Sequence, residues 1–239
     1  MNKVITLEQV TEQLHDGMSI MIGGFLGIGA PLRCIEKIVE SGVKDLTIIS
    51  IVSSNPPGGF DIASLFKNKQ VKKYITSHIG TTEEVQEAIK NDEIEVELFP
   101  MGTWTEKIRC GGYGLGGALT PVGIGTKMEE GKQIIEVEGK KYILEVPLRA
   151  DLAIIKGYRG DTLGNIEYRG ASINSNPIIA AAADFTIAEV NEIVAVGDLE
   201  PIRVGTPSAF IKAVVQGNTL DEQEEVMEQR WIETNRFAK

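Results

Sequence analysis

The amino-acid sequence predicts an α/β fold in which an open, mainly parallel sheet is flanked by helices. Short apolar runs alternate with stretches that repeat apolar residues at helical spacing, and this alternation is typical of parallel βαβ units. The chain has 239 residues, 42% of them hydrophobic, which is enough for one large domain. No internal repeat or Pro/Gly/Ser-rich linker divides it. We therefore expect one main domain.

The first elements follow from capping and chain-breaking residues. Thr6 and Gln9 have the spacing of a capping box, which predicts that a helix begins here. The apolar run at residues 18–22 ends on two glycines and predicts a short buried strand. Pro31 suits the first position of a helix, and Gly42 suits its end. The sequence therefore predicts a strand, a glycine loop and a helix in this order.

The same signals predict the later elements. Strands are expected at residues 46–52, 71–76, 94–99, 152–155 and 185–190, and helices at residues 82–90, 177–183 and 207–215. Two further β segments flank Glu138-Gly139-Lys140 and predict a small antiparallel hairpin insertion.

The C-terminal part of the chain differs in composition. We place the main domain at residues 1–218 and an acidic C-terminal helix or tail at residues 219–239. Leu220, Met227 and Trp231 fall on one helical face, which favours a helix that lies across a neighbouring surface. A half-ordered, solvated tail explains the composition equally well.

Charge and residue counts exclude several function classes. The net charge of −10, without a local Lys/Arg cluster, disfavours nucleic-acid binding. No apolar run has the length of a membrane span, and residues 1–10 lack the apolar stretch of a signal peptide, so a cytoplasmic protein is expected. Cys34 and Cys110 cannot build a disulfide framework. His15 and His78 are not at metal-ligand spacing, so no metal site is expected.

Three common enzyme motifs find little support. Residues 112–117 match G-x-G-x-x-G, but no predicted strand precedes them and no predicted helix follows. We therefore interpret them as a glycine-rich loop that packs against another backbone. The sequence contains neither G-x-S-x-G nor a P-loop motif, so serine hydrolases and P-loop enzymes are disfavoured. His78 follows a predicted strand, where ligands often bind, but an ordinary loop histidine is the favoured interpretation.

The strongest local signal is residues 16–31, DGMSIMIGGFLGIGAP. A turn, a short apolar strand, a glycine loop and a helix that begins with proline follow one another. Such a connection directs backbone N–H groups and a helix N-terminus toward one point, which favours a phosphate or an oxyanion. A purely structural βα turn explains the pattern equally well.

This run closely resembles the signature of the α subunit of family I CoA-transferases, the 3-oxoacid and short-chain acyl-CoA transferases. The family's pattern is Asp/Asn-Gly/Asn, two free positions, three apolar residues, Gly-Gly-Phe, three free positions, Gly, one free position and Pro; residues 16–31 meet every fixed position. The resemblance extends from about residue 4 to residue 215. It includes residues 77–81, 102–103, 108–112, 120–126, 149–153, 161–165 and 176–177.

The resemblance implies an α subunit of the acetate/butyrate–acetoacetate class. In this family a glutamate attacks the thioester of an acyl-CoA and forms a mixed anhydride with the acyl group. CoA then displaces the acyl group as a free acid, which leaves a glutamyl-CoA thioester, and CoA finally passes to the acceptor carboxylate. That glutamate lies in a Ser-Glu context on the β subunit, and this chain contains no Ser-Glu dipeptide. We therefore expect no catalytic residue in this chain, a β-subunit partner, and CoA or acyl-CoA as substrate without a tightly bound cofactor. The implied CoA-binding segment is Gly23, Gly24, Phe25, Leu26, Gly27, Ile28 and Gly29.

Two departures from the family and two alternatives accompany this interpretation. Met101 stands where many relatives have glutamine, and residues 50–60 differ from the usual segment.

One alternative is a phosphosugar isomerase-like protein, which needs a carboxylate or lysine base at the glycine loops, and those loops contain none. The other is a non-catalytic α/β module that retains the CoA-binding loop.

Overall fold

The computed structural model describes residues 2–235, which form a large β-sheet with helices on both faces and a small second sheet. In chain order the strands are β1 (Val4–Ile5), β2 (Ser19–Ile22), β3 (Leu46–Ile49), β4 (Val71–Thr76), β5 (Glu95–Leu98), β6 (Ala118–Thr120), β7 (Ile134–Val137), β8 (Lys140–Glu145), β9 (Ala150–Asp161), β10 (Ile166–Glu167), β11 (Ala183–Val194), β12 (Val204–Thr206) and β13 (Ala213–Gln216). The α-helices are α1 (Leu32–Ser41), α2 (Ala63–Lys67), α3 (Glu83–Lys90), α4 (Met101–Tyr113), α5 (Asn176–Ala180) and α6 (Leu220–Glu233). Short 3₁₀ helices lie at Glu8–Gln13, Lys127–Glu129, Gly170–Ile173 and Pro201–Arg203.

The order in which the chain adds strands to the large sheet reverses at the centre of the sheet. Its order is β1-β13-β11-β9-β2-β3-β4-β5, with parallel pairing throughout, while β10 pairs antiparallel with β9 and β12. The chain proceeds from β2 toward β5 on one side and from β9 toward β13 on the other. These two series meet where β2 pairs with β9. In open α/β sheets the carboxyl ends of the strands at such a point form a ligand-binding crevice.

The core covers both faces of this sheet. On β2, Ile20 and Ile22 pack into one apolar cluster, while Met21 between them packs into the other. Helix α1 covers the first cluster, and α4 and α5 contribute to the second. Burial on both faces explains why these strands appear in the sequence as continuous apolar runs rather than as alternating patterns. The predicted α/β fold with a mainly parallel sheet is confirmed.

The small sheet has the order β6-β8-β7 and is antiparallel. Its β7–β8 hairpin turns at Glu138 and Gly139, whose φ angles of 52° and 74° are those of the tight turns preferred in hairpins. The predicted hairpin is therefore confirmed. The third strand, β6, has no counterpart among the predicted strands.

Several local predictions hold in detail. Helix α1 begins directly after Pro31 and ends at Gly42, which adopts the left-handed conformation with φ 69°. Thr6 and Gln9 exchange the two hydrogen bonds of a capping box, at 3.0 and 3.3 Å. The turn that they open is a 3₁₀ helix rather than an α-helix.

Two predictions are wrong. Residues 207–215 are not a helix, since Ala213–Gln216 forms β13 between β1 and β11, and pairing with distant strands outweighs the local pattern. Residues 112–117 are not simply a loop, because α4 extends to Tyr113. Gly111 and Gly112 lie inside α4, where a Cβ would come within 2.2 Å of the Leu148 carbonyl oxygen and within 2.8 Å of Ala181 Cβ. The expected close approach to another backbone is present, but the glycines that allow it lie in a helix and not in a loop.

The C-terminal segment contains a regular helix. Thr219 and Glu222 form a capping box at the start of α6. Residues 236–239 of the predicted C-terminal segment 219–239 lie outside the described residues. The division of the chain into a main domain and a C-terminal helix or tail stays a prediction. Within residues 2–235, no helix combines the length and apolar character that crossing a bilayer requires.

Candidate functional site

The glycine loop, residues 23–29, leaves β2 at the carboxyl edge of the sheet, directly at the switch between the two strand series. Its first N–H, from Gly23, donates to the Ile154 carbonyl at 3.0 Å and continues the pairing of β2 with β9. Phe25 and Ile28 then exchange two backbone hydrogen bonds of 2.9 and 3.1 Å. The loop is therefore a tight, hydrogen-bonded hairpin at the place where parallel sheets bind ligands.

Glycine is required where the loop meets residues 172–176. A Cβ on Gly23 would lie 1.8 Å from Asn176 Oδ1. A Cβ on Gly29, whose φ is +69°, would lie 2.6 Å from the Ser172 carbonyl oxygen. These approaches leave no space for a side chain, so the loop depends on a distant part of the chain for its shape.

Asn176, at the start of α5, holds the loop in place. This fully buried amide accepts the Lys156 backbone N–H at 3.0 Å and donates to the carbonyls of Gly29 at 3.2 Å and Ser172 at 2.8 Å. Asn174 adds a bond of 3.0 Å to the Ile28 carbonyl. The sequence comparison with the family singled out residues 176–177, but the residues themselves gave no sign of this contact.

Residues 50–60 form the other wall of the loop. Asn55 Nδ2 donates to the Leu26 carbonyl at 2.8 Å, and a Cβ on Gly27 would lie 2.9 Å from the Phe60 ring. The segment that departs from the family pattern therefore touches the predicted CoA-binding loop directly.

The next two connections lie at the same edge of the sheet. Ser53 donates its N–H to the His78 carbonyl at 3.1 Å, and its hydroxyl lies 2.6 Å from the Thr81 hydroxyl. Met101 opens α4 just after β5, and its side chain is 45% exposed. The stretches around His78 and Met101 therefore share this edge with the glycine loop.

The N-terminus of α1 already interacts with a carboxylate of this chain. Cys34 N–H donates to Glu189 Oε2 at 2.9 Å, and Glu189 Oε1 lies 3.5 Å from Lys156 Nζ. Both charged side chains are buried, and burial lowers the pKa of the Lys156 ammonium group. The Cys34 donor is thus not available to an external anion.

A cavity of about 590 Å³ lies beside the glycine loop, within the usual size range for small-molecule sites. It is bounded by Gly27–Gly29 of the loop, by residues 156–158 of β9, by the 3₁₀ helix Gly170–Ile173 and by α6. Leu220, Met227 and Trp231 line it together, so the face of α6 predicted from the sequence lies across the neighbouring surface.

Asp61 is a residue that the sequence analysis missed. Its buried carboxylate accepts the backbone N–H groups of Ile62 and, at 3.4 Å, Asn55, and it lines a small void together with Gly23 and Gly24. A carboxylate therefore does lie at the glycine loop, contrary to expectation. Burial raises the pKa of Asp61 to about 6. Its hydrogen bonds hold the turn before α2. Asp commonly has this role near the start of a helix, and it is the only role of Asp61 that the sequence could have indicated.

Asp61 is expected to make stability depend on pH. The folded chain keeps this proton up to about pH 6, whereas the unfolded chain releases it near pH 4. The stabilisation by protonated Asp61 is thus fully present below pH 4 and is lost as the pH rises through 6. Relative to Asp61→Asn, which cannot titrate, the wild type should lose about 2–3 kcal/mol across this window. Urea unfolding at pH 4, 5, 6 and 7 measures this difference, and parallel profiles would contradict it.

Comparison with known proteins identifies the family. The family model described as Coenzyme A transferase matches residues 4–217. The chain belongs to this family. It is an enzyme of the CoA-transferase class, as the glycine-loop signature indicated. Helix α6 begins after the last residue that the family model matches.

Sequence relatives of this CoA-transferase chain are named as α subunits. It is 49% identical over 213 residues to the acetate CoA-transferase subunit alpha of Escherichia coli (strain K12), covering 89% of this chain and 96% of that protein. It is 44% identical over 215 residues to the acetoacetyl-CoA:acetate/butyrate CoA transferase alpha subunit of Clostridium acetobutylicum, covering 90% and 98%.

Solved structures share the fold at lower identity. The acyl-CoA transferase YdiF from Escherichia coli O157:H7 superposes with a TM-score of 0.82 at 19% identity, over 90% of this chain and 47% of that chain. Glutaconate coenzyme A-transferase from Acidaminococcus fermentans gives a TM-score of 0.79 at 19% identity, over 90% and 76%. This chain therefore spans about half the length of YdiF. These similarities concern the fold alone.

Proposed function

We propose that the chain is the α subunit of a short-chain acyl-CoA:carboxylate CoA-transferase of the acetate/butyrate and acetoacetate class. Its glycine loop, residues 23–29, holds the CoA thioester, and a partner β subunit supplies the catalytic glutamate. The position of this loop carries the proposal, because it lies at the switch point of the sheet beside a cavity of about 590 Å³.

The backbone of the loop suits a thioester carbonyl. Within residues 2–235, the N–H groups of Leu26, Gly27 and Gly29 find no acceptor. Negative charge develops on the carbonyl oxygen when a nucleophile attacks a thioester, and fixed N–H donors stabilise that charge. The interactions with Asn176 and Asn55 keep the donors in place before the substrate arrives. The loop therefore supplies binding and polarisation rather than a reacting side chain.

The buried acids near the loop are already engaged. Asp61 accepts backbone N–H groups of its own turn, and Glu189 binds the Cys34 N–H and pairs with Lys156. A nucleophile needs a carboxylate oxygen in contact with the thioester carbon. These contacts favour a glutamate from the partner subunit, as the family resemblance implies.

A transfer assay tests the division of labour. Acetoacetyl-CoA is supplied with acetate or butyrate to this chain alone, to the β subunit alone and to both together. We expect transfer only in the mixture. Transfer by this chain alone would place the nucleophile here and contradict the proposal. Inactivity of the mixture would favour the CoA-binding module or the isomerase-like alternative, and thermal shifts with CoA and with sugar phosphates distinguish these two.

A further inference from the structure

Helix α6 crosses the cavity without entering the protein core. None of its residues is buried, although it lies close to the glycine loop and to residues 50–60. A helix of this kind contributes little apolar burial to folding. Core packing alone therefore does not explain why α6 lies across the cavity.

Polar contacts hold both ends of α6. At its start, Asn191 Nδ2 donates to the Asn218 carbonyl at 2.8 Å and to Gln223 Oε1 at 2.7 Å. Toward its end, Arg230 donates to the carbonyl oxygens of Asn55, at 3.3 Å, and Gly58. The helix is thus fixed across the cavity from β11 to residues 50–60.

The middle of α6 presents apolar side chains to the cavity. Met227 and Trp231, one helical turn apart, line it from above, and Ile28 and Tyr158 line it from the glycine loop and from β9. Side chains of this kind, facing a cavity beside a loop with unpaired N–H groups, are typical of a binding site for an apolar ligand group.

The charged groups around the cavity carry no net positive charge. Arg169 lies 3.6 Å from Glu224, and Lys156 is paired with Glu189 at 3.5 Å. Glu228 also lines the cavity. This charge distribution provides no net positive field for the phosphates of CoA or for a sugar phosphate. An uncharged group fits the cavity better.

We propose that this cavity receives the hydrocarbon chain of the acyl group, and that Met227 and Trp231 of α6 determine the chain length that the enzyme prefers. The inference rests on the proposed function. With the thioester carbonyl at the N–H groups of Leu26, Gly27 and Gly29, the acyl chain extends into the cavity toward the apolar face of α6. A butyryl chain extends two carbons further into the cavity than an acetyl group, so α6 distinguishes longer acyl groups from acetyl.

The sharpest variant fills the cavity. Met227→Trp is expected to lower kcat/KM for butyryl-CoA at least tenfold relative to acetyl-CoA in the reconstituted α/β enzyme, since small differences in a hydrophobic pocket change specificity by 10- to 200-fold. Met227→Leu, which conserves volume, should leave the ratio of the two values unchanged. An unchanged ratio in Met227→Trp would overturn the proposal.

A second variant removes part of the apolar surface that α6 presents to the cavity. Trp231→Ala should reduce the preference for butyryl-CoA over acetyl-CoA several-fold, because the chain loses its apolar contact. Ile232→Ala is the matched control, since Ile232 lies on α6 but does not line the cavity and is 54% exposed. Equal ratios in the two variants would count against the proposal.

Tryptophan fluorescence separates this inference from the proposed function. The sequence contains two tryptophans; Trp104 is fully buried in the core, whereas Trp231 lines the cavity. Titration of the full chain with butyryl-CoA should shift the emission more than titration with CoA, and Trp231→Phe should abolish the difference. If transfer fails but this difference is present, the proposed function is wrong and the acyl site stands. If transfer occurs but butyryl-CoA and CoA give equal signals, the acyl site is wrong.

Discussion

Gly23→Ala is expected to abolish acyl-CoA binding and to lower the free energy of unfolding by about 2–4 kcal/mol. The new Cβ would lie 1.8 Å from Asn176 Oδ1, so the amide must move. Its bonds to the Lys156 N–H and to the Gly29 and Ser172 carbonyls would then be lost in a buried site. Isothermal titration with butyryl-CoA and urea unfolding measure the two effects.

Gly116→Ala is the matched control for this substitution. No atom lies within 4 Å of a Cβ built at Gly116, and its backbone is not left-handed, so we expect a change below about 0.5 kcal/mol. The double variant Gly23→Ala/Asn176→Gly removes the clash and should recover part of the stability but not the loop geometry. Wild-type affinity for butyryl-CoA in Gly23→Ala would exclude the glycine loop from the binding site.

The glycine loop was predictable because its signal is contiguous. Residues 16–31 contain the strand, the turn and the start of the helix, so local physics and family resemblance indicate the same place. The groups that hold the loop come from Asn55 and Asn176, far along the chain. No periodicity links these positions, and only the folded chain shows that they meet.

The errors of the sequence analysis have related causes. The glycines of residues 112–117 indicate a loop, yet Gly111 and Gly112 lie inside α4. They are glycines because close packing against Leu148 and Ala181 leaves no space for larger residues. Residues 207–215 have a helical pattern, yet Ala213–Gln216 completes the sheet between two distant strands. In both places tertiary contacts outweigh local propensity. Predictions from single segments therefore fail where a distant backbone decides the conformation.

The second large effect on stability is expected when the buried pair of Glu189 and Lys156 is broken. Glu189→Ala leaves the Lys156 ammonium group without its carboxylate and the Cys34 N–H without its acceptor, and all three residues are buried. We expect the free energy of unfolding to fall by about 3–5 kcal/mol, the usual cost of leaving one buried charge unpaired. Urea unfolding at neutral pH measures this loss.

Two further variants identify the cause of that loss. Lys156→Met combined with Glu189→Gln removes both charges and retains an acceptor for the Cys34 N–H, so it should recover most of the stability. Glu36→Ala breaks the exposed pair with Arg33, whose atoms lie 2.6 Å apart, and should cost less than about 1 kcal/mol. If the double variant is as unstable as Glu189→Ala, the Glu189 side chain stabilises α1 and β9 by its packing rather than by its charge.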